Sequence, residues 1–427
     1  MSNAIGYYLL NKSEKNMPNI IIEKPYIENN GLKARLCSRI HCDKIDKVLY
    51  YEVDSCFAEY LDDSRVDAFL VGLLNSCMHE DYDIICNHPV SSTLLFQIKQ
   101  YYIPIISKNF SNMHHINIEA AETNALIYNA GGVGTGNSGG VDSTYTMLKY
   151  KETGINCQNL THVLFTNIST NDTDENRVRN LFSRDLTLKN EAAKSLGYVP
   201  INLFTNLFLF YKHPGIFNHF FAQQYCSAAF ALAKLFKTYY FSSTWTVNEF
   251  SMNEKEIVSS ARYDLFSLST LTIPHLSFYS AGYEVTRTEK INYILHEGSF
   301  YSKRFLQVCS IEQSEGGTYT AEKLNCGYCN KCGRTIIRLY LDDLLDEYND
   351  IFELKYFKRN KAKFIGRNLA ADQKLFAKKL KAELKKKHKY PIFTSFYHLI
   401  FSLRYKLAKN KRLVSFYHKF KKEKNNV

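Results

Sequence analysis

Hydrophobic and polar positions change their spacing several times along the chain, and each change predicts an element. Lys47–Val53 (KVLYYEV) and Tyr82–Cys86 (YDIIC) are short β-branched and aromatic runs, predicted as strands. Asp67–Met78 (DAFLVGLLNSCM) is apolar nearly all round and predicts a mostly buried helix. Ser91–Tyr101 opens on a serine suited to an N-cap and continues with helical apolar spacing. Further on, Thr161–Ile168 (THVLFTNI) reads as a strand, Arg184–Leu196 as a helix closed by Gly197, and Val199–Leu203 as a short strand. Phe217–Phe236 predicts one long buried helix and Tyr239–Ser243 (YYFSS) a strand. Alternation of strands and helices over 126–345 predicts a doubly wound α/β domain, a parallel sheet with helices on both faces. The expected organisation has three parts: an N-terminal α/β domain (1–125), this domain (126–345) and a basic, aromatic helical tail (346–427). No internal repeat is visible.

Composition matters mainly through where the charge lies. With 427 residues, 45% hydrophobic and 22% charged, the chain is ordinary for a globular protein, which excludes general disorder. Of its 54 Lys and Arg, 23 fall in 354–427, against three of its 42 Asp and Glu. The tail is therefore about +20 and the remainder about −8. The basic character belongs to an appendage and carries no information about an active site. That tail reads as a solvated basic helix pair, a nucleic-acid contact or an anionic-membrane contact, and the aromatics of Phe393–Phe420 favour the membrane surface over nucleic acid. The longest apolar candidate, Tyr390–Leu403, falls short of the roughly 18 residues a membrane span needs. The first residues lack a secretory pattern, and 11 cysteines in so long a chain do not make a disulfide scaffold. A cytoplasmic protein is expected, with peripheral membrane contact through the tail left open.

The strongest chemical signal is Gly131–Ser143 (GGVGTGNSGGVDS), followed by a helix predicted over Thr144–Tyr150. Its core is Ser138-Gly139-Gly140-Val141-Asp142-Ser143. Glycines let backbone N–H groups approach a phosphate, Ser138 and Ser143 add hydroxyls, and the helix points its positive end at the anion. A Walker A loop is excluded because no Lys follows the glycines. A dinucleotide fingerprint matches literally as Gly134-x-Gly136-x-x-Gly139, a pattern weak by itself; it also needs a ribose-binding acid at the end of the second strand, and here that strand ends at Asn167–Ile168 with Asp172 and Asp174 beyond it.

The hexapeptide S-G-G-x-D-S resembles the loop of the PP-loop ATP pyrophosphatases, the superfamily that includes GMP, NAD and asparagine synthetases and tRNA-thiolating enzymes. The resemblance implies an adenine nucleotide α-hydrolase-like fold and cleavage of ATP between its α and β phosphates. A substrate oxygen would be adenylated, and a nucleophile such as ammonia or sulfide would then displace AMP. It places Ser138, Gly139, Gly140, Val141 and Ser143 on pyrophosphate, with Asp142 near Mg²⁺.

A second signal is Cys326-Gly-Tyr-Cys329-Asn-Lys-Cys332, three thiols at i, i+3 and i+6, with Cys309 17 residues upstream as a fourth ligand. Four thiolates suit structural Zn²⁺, and an iron–sulfur cluster is the alternative, although Cys332 is not followed by the C-x₃-C-P continuation of bacterial ferredoxins. The other Cys and His residues, among them His41, Cys42, Cys77, His79, Cys86 and His88, match no ligand spacing and read as packing residues.

Loop and cysteines together look like 7-cyano-7-deazaguanine synthase and its relatives, over about residues 125–345. That resemblance implies zinc on Cys309, Cys326, Cys329 and Cys332. It also implies a Lys-x-x-x-Ile helix start within Glu284–Ile294, so that Lys290, with Arg287 one turn before it, meets the triphosphate and Lys290 joins Asp142 as a catalytic residue. A solvated helix face is the other reading of Arg287 and Lys290. The long extensions on both sides depart from the synthase, so its substrate does not carry over.

The expected function is that of an ATP-dependent ligase. It would adenylate a small-molecule carboxylate or carbonyl oxygen and transfer ammonia or an amine, using ATP, Mg²⁺ and Zn²⁺. No glutaminase context surrounds any cysteine. Two alternatives remain: a tRNA-thiolating PP-loop enzyme, and a nucleotide-binding component of a phage-defence or surface-polysaccharide assembly. Ser242–Asn248 (SSTWTVN), with the sole tryptophan Trp245, is a candidate pocket segment at a strand end, and plain core is the other reading of Trp245. Homo-oligomerisation is left open.

Overall fold

The computed structural model describes residues 18–168, 170, 172–211, 221–255, 259–309, 323–371 and 374–409. The chain divides into two compact units, Met1–Ser138 with Thr146–Thr286, and Gly139–Tyr145 with Arg287–Val427.

The first unit carries one mixed α/β sheet, eleven-stranded among the described residues. Its strands are β1 (Asn19–Ile22), β2 (Tyr26–Asn29), β3 (Lys33–His41), β4 (Asp46–Asp54), β5 (Asp83–Ser91), β6 (Ile118–Thr123), β7 (Gly132–Gly136), β8 (His162–Thr166), β9 (Val199–Thr205), β10 (Phe236–Ser242) and β11 (Ser277–Ala281). Across the sheet they run β11-β10-β7-β8-β9-β4-β3-β1-β5-β6, with β2 on β3. The helices that matter here are α1 (Asp67–Glu80), α2 (Val141–Lys149), α3 (Glu175–Ser195), α4 (Phe221–Ala231) and α5 (Asp264–Ser269).

Strands β7 to β11 all pair in parallel, as the alternation predicts. Successive crossovers diverge from β7: toward β8 and β9 on one side, toward β10 and β11 on the other. Right-handed crossovers then place α2 and α3 on one face and α4 and α5 on the other. Side chains of β10 report both faces, because neighbours in a strand point opposite ways. Tyr240 meets Tyr150, just past α2, at 4.2 Å between ring centroids, and Phe241 meets Tyr225 of α4 at 6.1 Å.

The N-terminal strands extend this same sheet. β4 pairs antiparallel with β9, Glu52 opposite Phe204. At this seam Glu52 is 5% exposed and takes Arg35 and Arg179 of α3, each at 2.7 Å. Burial alone would raise its pKa; hydrogen bonds from Arg179 and then Arg35 outweigh that and hold it below the usual carboxylate value. The Arg179 guanidinium also stacks 3.9 Å from the Phe204 ring centroid.

Three elements differ from expectation. Helix α3 begins at Glu175 rather than Arg184, because Asp174 caps it by accepting from the Asn176 and Arg177 amides; it still ends near Gly197, whose φ is +83°. The predicted helix Phe217–Phe236 is shorter: α4 covers Phe221–Ala231 and Phe236 opens β10, while 217–220 lie outside the described residues. An unbroken apolar run does not by itself separate helix from buried strand. Ser91 makes no side-chain cap to the helix after it, since its hydroxyl is bonded to the Asp67 carboxylate.

The second unit is helical: α6 (Arg287–His296), α7 (Asn330–Leu341), α8 (Lys361–Ala371), α9 (Lys374–Lys386) and α10 (Thr394–Lys409). Two glycines permit close packing here. A Cβ at Gly333 of α7 would lie 1.9 Å from Asn368 Oδ1 of α8, and one at Gly366 of α8 would lie 2.7 Å from Tyr397 Cβ of α10. No described helix is long and apolar enough to cross a membrane.

Asp67 yields a pH prediction. It is 3% exposed, and its carboxylate accepts from the Ser91 amide at 2.9 Å and faces the Ser91 hydroxyl, with Arg65 and Asp62 also acting on it. Burial raises its pKa to about 6, against the lowering effect of Ser91 and Arg65. The folded state thus holds this proton more tightly than the unfolded chain, whose Asp titrates near about 4. The group's stabilisation is complete below about pH 4 and lost as pH rises through about 6, on the order of 3 kcal/mol at most. In urea melts at a series of pH values, Asp67→Asn should remove that part of the decline; an identical pH profile in the variant would show that Asp67 does not titrate there.

Candidate functional site

The glycine-rich segment divides between strand, loop and helix. Gly134 and Gly136 lie within β7, not in the turn after it. Gly134 is explained by packing: a Cβ there would sit 2.5 Å from the Phe236 ring. The dinucleotide reading needs its first glycine in the turn after the strand, so the literal fingerprint loses its structural context.

Before the chain leaves the first unit, Asn137 and Ser138 are tied to α3. Lys189 Nζ donates to the Ser138 carbonyl at 2.7 Å, and Asn137 Nδ2 donates to the Lys189 carbonyl at 3.0 Å. Lys189 is 3% exposed, and burial lowers its pKa to about 8 against the opposing pull of Asp185. Sequence reading missed this lysine. Val178, Phe182, Lys189 and Ala193 share the buried face of α3. A lysine on an apolar stripe was the available signal.

In the second unit, Gly139 adopts φ +76°, a left-handed conformation that favours glycine. Its carbonyl accepts from the Gln307 amide at 2.9 Å. Helix α2 starts at Val141, with the Thr144 amide bonded to the Gly140 carbonyl at 2.9 Å. Val141 and Ser143 are buried, and the Ser143 hydroxyl turns back to the Gly140 carbonyl at 3.3 Å, while Ser138 is exposed. The first turn of a helix presents amides with no intrahelical acceptor, together with the positive dipole end.

Asp142, Arg287 and Lys290 come together. Arg287 Nη1 lies 3.1 Å from Asp142 Oδ2 and Lys290 Nζ lies 3.5 Å from Asp142 Oδ1. Lys290 is 1% exposed, with its ammonium 5.9 Å from the Tyr145 ring. A solvated helix face is therefore the wrong description of Lys290, which points inward from α6. Arg287 and Asp142 are among the charges acting on Lys331, which lies between Cys329 and Cys332. The thiols of Cys329 and Cys309 act on Lys331 as well, with the sign opposite to that of Arg287.

The four predicted cysteines converge. The thiols of Cys309, Cys326, Cys329 and Cys332 all lie within 4.8 Å of one another, and Cys326 and Cys332 are 3.8 Å apart. A tetrahedron of sulfurs about 2.3 Å from zinc has edges of about 3.8 Å, so the spacing fits one metal ion such as zinc. Backbone amides of Tyr328 and Cys329 point at Cys326 Sγ at 3.3 Å each, and the Cys332 amide at Cys329 Sγ at 3.4 Å. Crowding sets the thiols against one another. Hydrogen bonds, from Cys309 first, hold Cys329 well below the usual thiol range, and the same contacts push Cys326 and Cys332 up. Gly327 has φ +67°, and a Cβ there would lie 1.6 Å from the Glu353 carbonyl oxygen.

Asn325 fastens this knuckle. Its Oδ1 accepts from the Val308 and Cys309 amides at 2.8 and 3.1 Å, and its Nδ2 donates to the Leu306 and Ile351 carbonyls. Gln307, which holds Gly139, lies between those anchored residues. In the first unit, Ser242 ends β10 and Trp245 follows it, half-buried, with the Arg262 guanidinium 4.4 Å from the centroid of its ring.

Cys329→Ser should leave the purified chain with less than half of the one metal ion per chain expected of the wild type, and with a lower melting temperature, because a structural metal contributes folding free energy directly. Gly327→Ala should do the same without removing a thiol. Elemental analysis and thermal melts check both; unchanged metal content in Cys329→Ser would remove that thiol from the ligand set. Compared with protein-family models, curated proteins and solved structures, the chain matches none.

Proposed function

We propose that this chain is an ATP-dependent, AMP- and pyrophosphate-forming ligase of the PP-loop type, on an adenine nucleotide α-hydrolase-like fold. The observation that carries the reading is the loop itself. Within the second unit, Gly139–Ser143 turns at a left-handed glycine, enters a helix N-terminus and meets Arg287 and Lys290 at Asp142.

In this reading the amides after Gly139 hold the leaving diphosphate. Arg287 and Lys290 neutralise charge that builds on it as the α–β bond breaks. Asp142 positions both cations. A direct Asp142–Mg²⁺ bond would compete with Arg287 at 3.1 Å, so Mg²⁺ is better placed as an ion that arrives with the nucleotide phosphates. When bound there it screens phosphate charge. The acceptor is a small carboxylate or carbonyl oxygen, and ammonia or an amine displaces AMP. Zinc in the knuckle is structural: it fixes Cys309 and, through Gln307, the turn at Gly139. Thiols this close leave no room between them for the several irons and sulfides of a cluster, which favours zinc over the iron–sulfur alternative.

The experiment is product analysis of the full-length protein with ATP, Mg²⁺, ammonium and a panel of carboxylates. AMP and pyrophosphate should appear in equal amounts with at least one acceptor. Asp142→Asn and Lys290→Ala should each lower that rate by roughly a hundredfold or more while metal content is retained. Nucleotide binding without pyrophosphate across the panel would favour the assembly-component alternative, and ADP with phosphate would exclude α–β cleavage.

A further inference from the structure

Helix α10 has two apolar faces, and only one of them is used inside the unit. Thr394 is buried, and Tyr397 and His398 are half-buried where Gly366 of α8 brings the two helices into contact. Opposite them, Phe393, Phe396, Leu399, Ile400, Leu403 and Leu407 are each 41–67% exposed. At about 100° per residue these six fall within an arc of roughly 120°. Arg404 borders one edge of that arc and Lys406 the other, and both are exposed. The helix contains no acidic residue.

Six large apolar side chains in one contiguous stripe exceed the scattered exposure normal for a protein surface. The geometry points to a docking face for an anionic lipid surface, with α10 lying in the plane of the bilayer interface. The order of groups across the stripe selects this partner. An apolar centre between cationic edges matches acyl chains beneath anionic headgroups. Nucleic acid would set phosphates against the apolar centre, where no cation meets them. A second copy of the chain, packed face to face, would bring cationic edges together with no acid on α10 to offset them. The sequence of the tail carries the same sign: 374–409 have eleven Lys and Arg against Glu383, and 410–427 have six against Glu423.

The test is co-sedimentation of the full-length protein with vesicles of phosphatidylcholine alone or with about 30% phosphatidylglycerol. Binding to the anionic vesicles only, weakening as salt rises, is expected. Phe396→Ser combined with Leu403→Ser should weaken it roughly tenfold with an unchanged melting temperature, since both side chains already face solvent. Arg404→Glu with Lys406→Glu should weaken it through charge alone. No binding to anionic vesicles, equal binding by the serine variant, or displacement from vesicles by duplex RNA would overturn the proposal. So would a dimer seen by light scattering that the serine variant dissolves.

Discussion

The buried ammonium of Lys290 is the constraint on which the candidate site depends. A lysine 1% exposed is costly to hold as a cation unless a carboxylate stands beside it, and Asp142 does so at 3.5 Å. Asp142 also takes Arg287 from one turn earlier on α6. The first turn of α2 and the first turn of α6, far apart in the chain, are thereby fixed to each other. Removing the carboxylate would take a counter-charge from that buried ammonium, so position 142 is tied to structure as well as to any bound phosphate.

The thiol knuckle supplies a second constraint on the same loop. Asn325 binds the segment before Cys309 from one side, Gln307 in that segment binds Gly139, and the tight turn at Gly327 leaves no room for a side chain against Glu353. A metal that gathers the four thiols therefore orders more than the knuckle. Arg367 of α8 stacks over Tyr328 at 4.2 Å and donates to its carbonyl, which carries the same restraint into the helices of the tail.

In the first unit the N-terminal strands and the parallel strands share one sheet because β4 and β9 are both buried and Glu52 is satisfied by two guanidiniums at their seam. Such a seam leaves little trace in sequence. Arg35, Glu52 and Arg179 are ordinary charged residues until the fold brings them together, and a charge on a strand normally reads as its solvent side. Lys189 is a related case: its burial under Ser138 follows from the packing of α3, and its place on an apolar stripe was the one hint that the sequence offered.

Sequence alone determined the local chemistry. The alternation of apolar runs predicted the parallel strands and helices found from β7 to β11, the glycines and Asp142 marked a turn entering a helix, and cysteines at i, i+3 and i+6 marked a thiol cluster that could hold a metal, because these signals are written in neighbouring residues. Tertiary structure decided what distant residues do to one another. It joined the N-terminal strands to the sheet, turned Lys290 inward onto Asp142, reassigned Gly134 from a ligand loop to the underside of Phe236, and chose which apolar face of α10 is covered. Pairing, burial and helix orientation depend on contacts across long chain separations, and spacing along the sequence does not encode them.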